Sequence, residues 1–231
     1  MSSWLHALFD LLAPRRCVAC GQRLTQAESF LCSSCLLQMP LTHFVEDAYD
    51  NAMARAFWLR LPIERAAALF YYEPGNEVAQ LVKDIKYRGN RELGIYAGRM
   101  LAETFAPYGF FDGIDGLVPV PLARKRERER GFNQSDLIVR GMASVVELPV
   151  MDDVVARIVY QQSQTHLSYV ERNDNVEGAF RLMDGARIAG LHLLLVDDVV
   201  TTGATCIACG QELVKAEGVK LSVASLGFTR R

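Results

Sequence analysis

Residues Leu193 to Thr205 read Leu-Leu-Leu-Val-Asp-Asp-Val-Val-Thr-Thr-Gly-Ala-Thr, and this order narrows the accessible folds more than any other stretch of the chain. Four aliphatic residues without polar alternation make a strand buried on both faces, the habit of a parallel sheet. Two carboxylates, Asp197 and Asp198, follow at its carboxyl end, where open α/β sheets place their ligands. Small and hydroxyl-bearing residues, Thr201, Thr202, Gly203, Ala204 and Thr205, then open a helix that runs to Glu217 and stops at Gly218. Unpaired amides and the positive end of the helix dipole suit a phosphate dianion there, and Gly203 lets the backbone approach it. The two acids would repel that phosphate, so they match ribose hydroxyls and Mg²⁺ instead. Phosphate at one end and a diol beside it describe a ribose 5-phosphate. The competing reading is a strand, an acidic turn and a capped helix with no ligand.

The remaining pattern alternates strands and helices. Strands are expected at Ala66 to Tyr72, Gly116 to Val120, Leu191 to Val196 and Leu221 to Phe228. Helices are expected at Pro74 to Tyr87, Arg91 to Phe105 and Gln134 to Val146, besides the one after Gly203. This predicts an α/β fold, a mostly parallel sheet flanked by helices. Two polar segments, Leu122 to Asn133 and Tyr160 to Gly178, carry no clear period and suit lids or binding loops. A small cysteine-bearing unit is expected over residues 1–45 and the α/β domain over 46–231.

A formal net charge of −2 excludes a histone-like or polybasic partner surface, so nucleic-acid contact would need a local patch. The apolar run from Ser2 to Leu12 is too short to span a bilayer and has no basic region before it. It suits an N-terminal helix packed on its own domain, and the expectation is a cytoplasmic protein with no membrane insertion.

Cys17-x2-Cys20 and Cys32-x2-Cys35 are separated by eleven residues, with Gly21 after the first pair. Two such hairpins can close a tetrahedral thiolate site, and four thiolates leave no coordination position for a substrate. Structural Zn²⁺ is therefore expected, in preference to a redox pair, which would need one CxxC at a helix start in a βαβ unit. Cys206 and Cys209 fall inside the last helix among small residues and read as buried, inert thiols. Arg15, Arg16 and Arg23 near the knuckle are compatible with a nucleic-acid surface.

The Leu193 to Thr205 segment resembles the PRPP-binding motif (5-phosphoribosyl 1-pyrophosphate) of the type I phosphoribosyltransferases. The resemblance implies that Asp197 and Asp198 contact the ribose 2′ and 3′ hydroxyls and that Thr201 through Thr205 hold the 5-phosphate. Other segments extend it. Val118-Pro119-Val120-Pro121-Leu122 leads into Arg124, Lys125 and Arg126, then Arg130-Gly131-Phe132-Asn133-Gln134-Ser135. Upstream lies Ile85-Lys86-Tyr87, and downstream lie Gln164 to Ser168, Arg172, Asn175 and Gly178-Ala179-Phe180. With the cysteine pairs, this order resembles the ComF family of competence proteins, GntX-type members included.

That family implies a phosphoribosyltransferase-like domain behind a zinc knuckle, PRPP with Mg²⁺ as ligand, and a role in natural transformation or DNA uptake and use. Arg124 and Lys125 suit the pyrophosphate near the sugar C1, whose departure through an oxocarbenium-like state would rely on Mg²⁺ and cations. Arg130, Gln134 and Arg172 would complete the site as the irregular segments close, with Lys86 added from the family pattern. Rival readings stand beside these. The alternating signs from Arg124 to Arg130 also describe a solvated helical face, and Lys86 also reads as a surface charge. Three functions remain open: a Mg-dependent transferase on an acceptor that the sequence does not name, a factor contacting single-stranded DNA, and a PRPP-sensing regulator. No aromatic platform for single-stranded DNA can be read from the sequence.

Overall fold

The computed structural model describes residues 14–158 and 178–230. The expected N-terminal helix, Arg172 and the segment from Tyr160 to residue 177 lie outside the described residues.

Four strands, β1 (Ala66–Tyr72), β2 (Gly116–Pro119), β5 (His192–Val200) and β6 (Lys220–Thr229), form one sheet in the order β1-β6-β5-β2. All three pairings are parallel, so the four carboxyl ends share one pole. Leu193 through Val196 are fully buried, as an aliphatic run between two helical layers requires. Two short extensions flank the sheet: Val150 bridges parallel to Leu117 beyond β2, and Leu41 bridges antiparallel to Phe70 beyond β1.

Helices α3 (Glu77–Tyr87), α4 (Arg91–Phe105) and α6 (Gln134–Val146) pack on one another and against one face of the sheet. The opposite face is covered by α8 (Ala204–Leu213) and α2 (Ala52–Phe57), whose Phe57 reaches the start of α8. Both boundaries of α4 and of α6 fall where the sequence places them, and asparagines set their starts. Asn90 Oδ1 accepts the Leu93 amide, and Asn133 Oδ1 accepts the Ser135 amide. The same chemistry moves the start of α3 from Pro74 to Glu77, because Asn76 caps Ala79. Where α4 and α6 cross, a Cβ on Gly98 would lie 2.0 Å from the Ile138 carbonyl oxygen, and one on Gly141 would lie 2.1 Å from that of Ile95. The two backbones therefore touch directly.

Three expectations need correction. The segment Leu122 to Asn133 is not irregular: Arg124–Arg130 forms helix α5, which buries no residue and is closed by Gly131 in the left-handed region. The strand expected to end at Val196 continues through both acids to Val200, because Asp197 pairs with Ser225 and Val199 with Gly227 on β6. The last helix ends at Leu213 and tightens into turns before Gly218, with the Ala216 amide bonded to the Leu213 carbonyl.

A two-stranded antiparallel unit, β3 (Val155–Arg157) with β4 (Phe180–Leu182), packs against α8, and the short α7 (Gly185–Ile188) follows it. The cysteine-bearing stretch carries α1 (Ser33–Gln38). Its Cys17 and Leu31 belong to the same buried cluster as Leu195 and Val223. Among the described residues, no helix is long and apolar enough to cross a membrane.

Candidate functional site

β2 leaves the sheet at the level of Val196, and β5 runs on beyond it, so Asp197 keeps a strand partner, Ser225, on the β6 side only. The N-terminus of α6 fills the other side. Asn133 anchors there by donating from Nδ2 to the Val120 carbonyl at 3.0 Å, and Ser135 Oγ donates to Asp197 Oδ1 at 3.1 Å. The same Asp197 oxygen accepts the Asp198 amide at 2.9 Å. Asp198 is paired with Lys86 of α3, Nζ to Oδ2 at 2.8 Å, with side-chain exposures of 12% for the acid and 23% for the lysine. Lys86 thus reaches from the helix after β1 to the acid on β5 and is not a bare surface charge.

Burial, and next the charge of Asp198, push the Asp197 carboxyl up from 3.8 to about 7; the Asp198 amide, Lys86 and Ser135 offset part of this. The folded protein therefore holds this proton more tightly than the unfolded chain does. Stability from this group is fully present below the ordinary value of 3.8 and is lost as pH rises to about 7. Asp197→Asn keeps an acceptor for Ser135 and removes that burden. It is expected to raise stability by about 1–3 kcal/mol at pH 8 and to change little at pH 3.5, read as melting temperature against pH. An Asn variant that melts lower than the native protein at pH 8 contradicts this account.

The turn after the acids leaves Thr201 and Thr202 exposed, while Gly203 is buried at φ +76° with a Cβ position 3.2 Å from the Phe57 ring. That conformation and that contact together call for glycine. Ala204 and Thr205 are the first residues of α8. The turn's amides are not all unpaired, since Ala204 N–H donates to Thr202 Oγ1 at 3.3 Å. Arg60, which the sequence did not single out, donates from Nη1 to the Thr202 carbonyl at 3.3 Å and brings a cation to the turn.

The other predicted residues are distributed as follows. Arg124 and Lys125 are exposed on α5, beyond the end of β2. Arg130 lies over the Tyr87 ring, its guanidinium carbon 5.1 Å from the centroid, and so joins α5 to α3. Gln134, 2% exposed at the start of α6, has a side-chain nitrogen with no hydrogen-bond partner. Arg157 of β3 was not legible in the sequence. Its guanidinium lies 5.3 Å from the Phe180 centroid and is held below its usual range first by burial and then by the charge of Arg126, while Asp197 pulls the other way. Cys206 and Cys209 are buried and free; burial pushes both thiols up, and Cys206 Sγ lies 3.9 Å from Asp197 Oδ2.

At the knuckle the sulfur atoms of Cys17, Cys20, Cys32 and Cys35 all lie within 4.8 Å of one another, so they could hold one metal ion. Cys20 Sγ and Cys32 Sγ are 3.7 Å apart, close to the ~3.8 Å edge of a tetrahedron with Zn–S bonds of about 2.3 Å. The Cys17 sulfur accepts the Cys32 amide at 3.4 Å. Burial raises the Cys17 thiol, but backbone amides of the knuckle outweigh that and bring it down to about 7, as suits a metal thiolate. Glu28 locks the second hairpin by accepting the amides of Thr25 and Ser33. Those amides, Thr25 first, hold its carboxyl down at about 2.

Comparison with known proteins gives a consistent set of relatives. The DNA utilization protein YhgH of Salmonella typhimurium is 31% identical over 202 residues, covering 86% of this chain and 84% of the relative. Competence protein F of Haemophilus influenzae is 25% identical over 205 residues, covering 82% and 86%. Among solved structures, the glutamine PRPP amidotransferase of B. subtilis aligns with a TM-score of 0.41 and 17% identity over 62% of this chain, which spans 30% of that enzyme. Adenine phosphoribosyltransferase of Saccharomyces cerevisiae aligns with a TM-score of 0.36 and 19% identity over 62% of this chain and 72% of that one. No family model matches the chain.

Proposed function

Because this chain belongs to the ComF family, with the DNA utilization protein YhgH and competence protein F, we propose that it binds PRPP or ribose 5-phosphate and serves DNA uptake or use, in contact with single-stranded DNA. The observation that carries this reading is the acid pair on the part of β5 that outruns β2, set between the α6 N-terminus and the Gly203 turn. Lys86 balances one of the two negative charges, and the pair then suits a ribose diol and the Mg²⁺ that accompanies PRPP. The partnerless Gln134 nitrogen gains an acceptor from a sugar or phosphate oxygen, which removes the cost of leaving it buried and unsatisfied. Thr201 through Thr205 and Arg60 meet the 5-phosphate, while Arg124, Lys125 and Arg130 face the pyrophosphate. The four cysteines hold Zn²⁺ as a structural ion, because every coordination position is taken by sulfur.

Titration with PRPP and Mg²⁺ tests the reading. At about 100 times the dissociation constant the ligand should stabilise the protein by about 2.7 kcal/mol, seen as a raised melting temperature. No shift with either PRPP or ribose 5-phosphate would defeat it. Release of pyrophosphate from PRPP when acceptor nucleophiles are added, single-stranded DNA among them, separates a transferase from a regulator that binds without turnover.

A further inference from the structure

We propose that an unpaired base of a DNA strand lodges in the cleft between the cysteine knuckle and α3, behind Lys86. This rests on the ribose-phosphate reading above and names where the acceptor strand lies. The cleft has a volume of about 550 Å³, within the range of sites that take a nucleotide-sized group. It opens at the carboxyl end of β1, the pole that also carries Asp197 and Asp198. Tyr72, the last residue of β1, and Tyr87, the last of α3, both line it. Tyr87 is 69% exposed, although Arg130 covers part of its ring.

These two rings come from separate elements and supply the aromatic surface that the linear sequence does not display. Every base presents a π-face, so such a surface accepts unpaired bases with little sequence preference. Lys83 stands on the same wall, exposed and without an ion pair among the described residues, where a strand's phosphates would pass. Lys86 forms the back of the cleft while its amine touches Asp198, so one side chain separates the base from the ribose-binding acids.

The neighbouring groove, of about 660 Å³, shares Ala19 and Gln80 with the cleft and continues past Arg16 and Arg88. It offers the adjoining nucleotides Arg16 of the knuckle, Arg88 being shared with Asp84. Of the acids here, Asp84 of the groove is already engaged by Arg88 at 3.2 Å and by Gln80 at 2.7 Å, and Glu77 stands at the first residue of α3 on the cleft wall, about three turns of helix from Tyr87.

The test uses the full chain and a fluorescent oligodeoxythymidylate of roughly 15 nucleotides carrying one photoreactive base. Lys83→Glu, a change at an exposed position outside the ribose site, should weaken oligonucleotide binding about tenfold and flatten its salt dependence. Tyr72→Ala should weaken it by a similar factor. Both variants should keep the stabilisation by PRPP, and the photoproduct should map to Tyr72, Tyr87 or the knuckle. Binding by Lys83→Glu within twofold of the native protein, or a photoproduct confined to α5, overturns the proposal. So does an oligoribonucleotide of the same length binding tenfold tighter. If PRPP stabilises none of the proteins while the oligonucleotide still maps to the cleft, the ribose-phosphate reading fails and the cleft assignment stands.

Discussion

Asp198→Asn is expected to weaken PRPP binding by about two orders of magnitude. An ionised carboxylate accepting two ribose hydroxyls contributes charge-assisted hydrogen bonds worth ~1.5–3 kcal/mol each, and an amide keeps only part of that. A loss of about 3 kcal/mol in total is a factor near 100 in affinity. Stability should fall as well, because Lys86 Nζ, now 2.8 Å from Asp198 Oδ2, would lose its counter-charge in a partly buried position. The adjacent acids are thus expected to act with opposite signs above pH 7: Asp197→Asn stabilises and Asp198→Asn destabilises. Calorimetric titration with PRPP and Mg²⁺, paired with melting curves of both variants, reads both effects. Affinity retained within threefold in Asp198→Asn would remove this acid from the ligand site.

Metal removal should have the largest effect on the fold. Structural zinc in small modules contributes on the order of 10 kcal/mol of folding free energy. Here the Cys17, Cys32 and Cys35 side chains are buried together with Leu24 and Leu31. Without the ion the four sulfurs have no shared partner, and the two hairpins are left with hydrogen bonds such as Val18 N–H to the Phe30 carbonyl at 2.9 Å and Cys32 N–H to Cys17 Sγ at 3.4 Å. Chelation, or Cys32→Ser, should lower the melting temperature sharply, and elemental analysis should find one equivalent of zinc in the native protein and none in the variant. The cleft lined by Ala19 should be lost with the knuckle, so oligonucleotide binding should fall in parallel. A protein purified without metal that melts as the native one does would rule out the structural role.

Much of the fold was legible because its signals are local. The spans Ala66–Tyr72, Arg91–Phe105 and Gln134–Val146 match residue for residue, since the hydrophobic pattern lies within each segment and an asparagine cap immediately precedes each of the two helices. The extension of β5 through Asp197 and Asp198 was not legible. Aspartate is disfavoured in strands, and only pairing with Ser225 and Gly227 on β6 holds it there. Arg124 to Arg130 lacks any apolar period and still forms a helix, started after Ala123 and stopped by Gly131.

In the candidate site, the acids and the glycine turn announced themselves as one contiguous run. The aromatic pair Tyr72 and Tyr87, the cations Arg60 and Arg157, and the Lys86 to Asp198 contact did not. Each joins residues far apart in the chain, which a pattern confined to one segment cannot encode.

The crossing of α4 and α6 bears on the site from a distance. With no side chain between Gly98 and the Ile138 carbonyl, or between Gly141 and that of Ile95, nothing there can compress to absorb a shift. Any added atom must tilt α6 as a rigid lever, and its far end carries Gln134 and Ser135. A single methyl group at the fulcrum would therefore be felt as a misplaced hydroxyl at Asp197, which makes these two glycines the remote setting of the ligand-binding end.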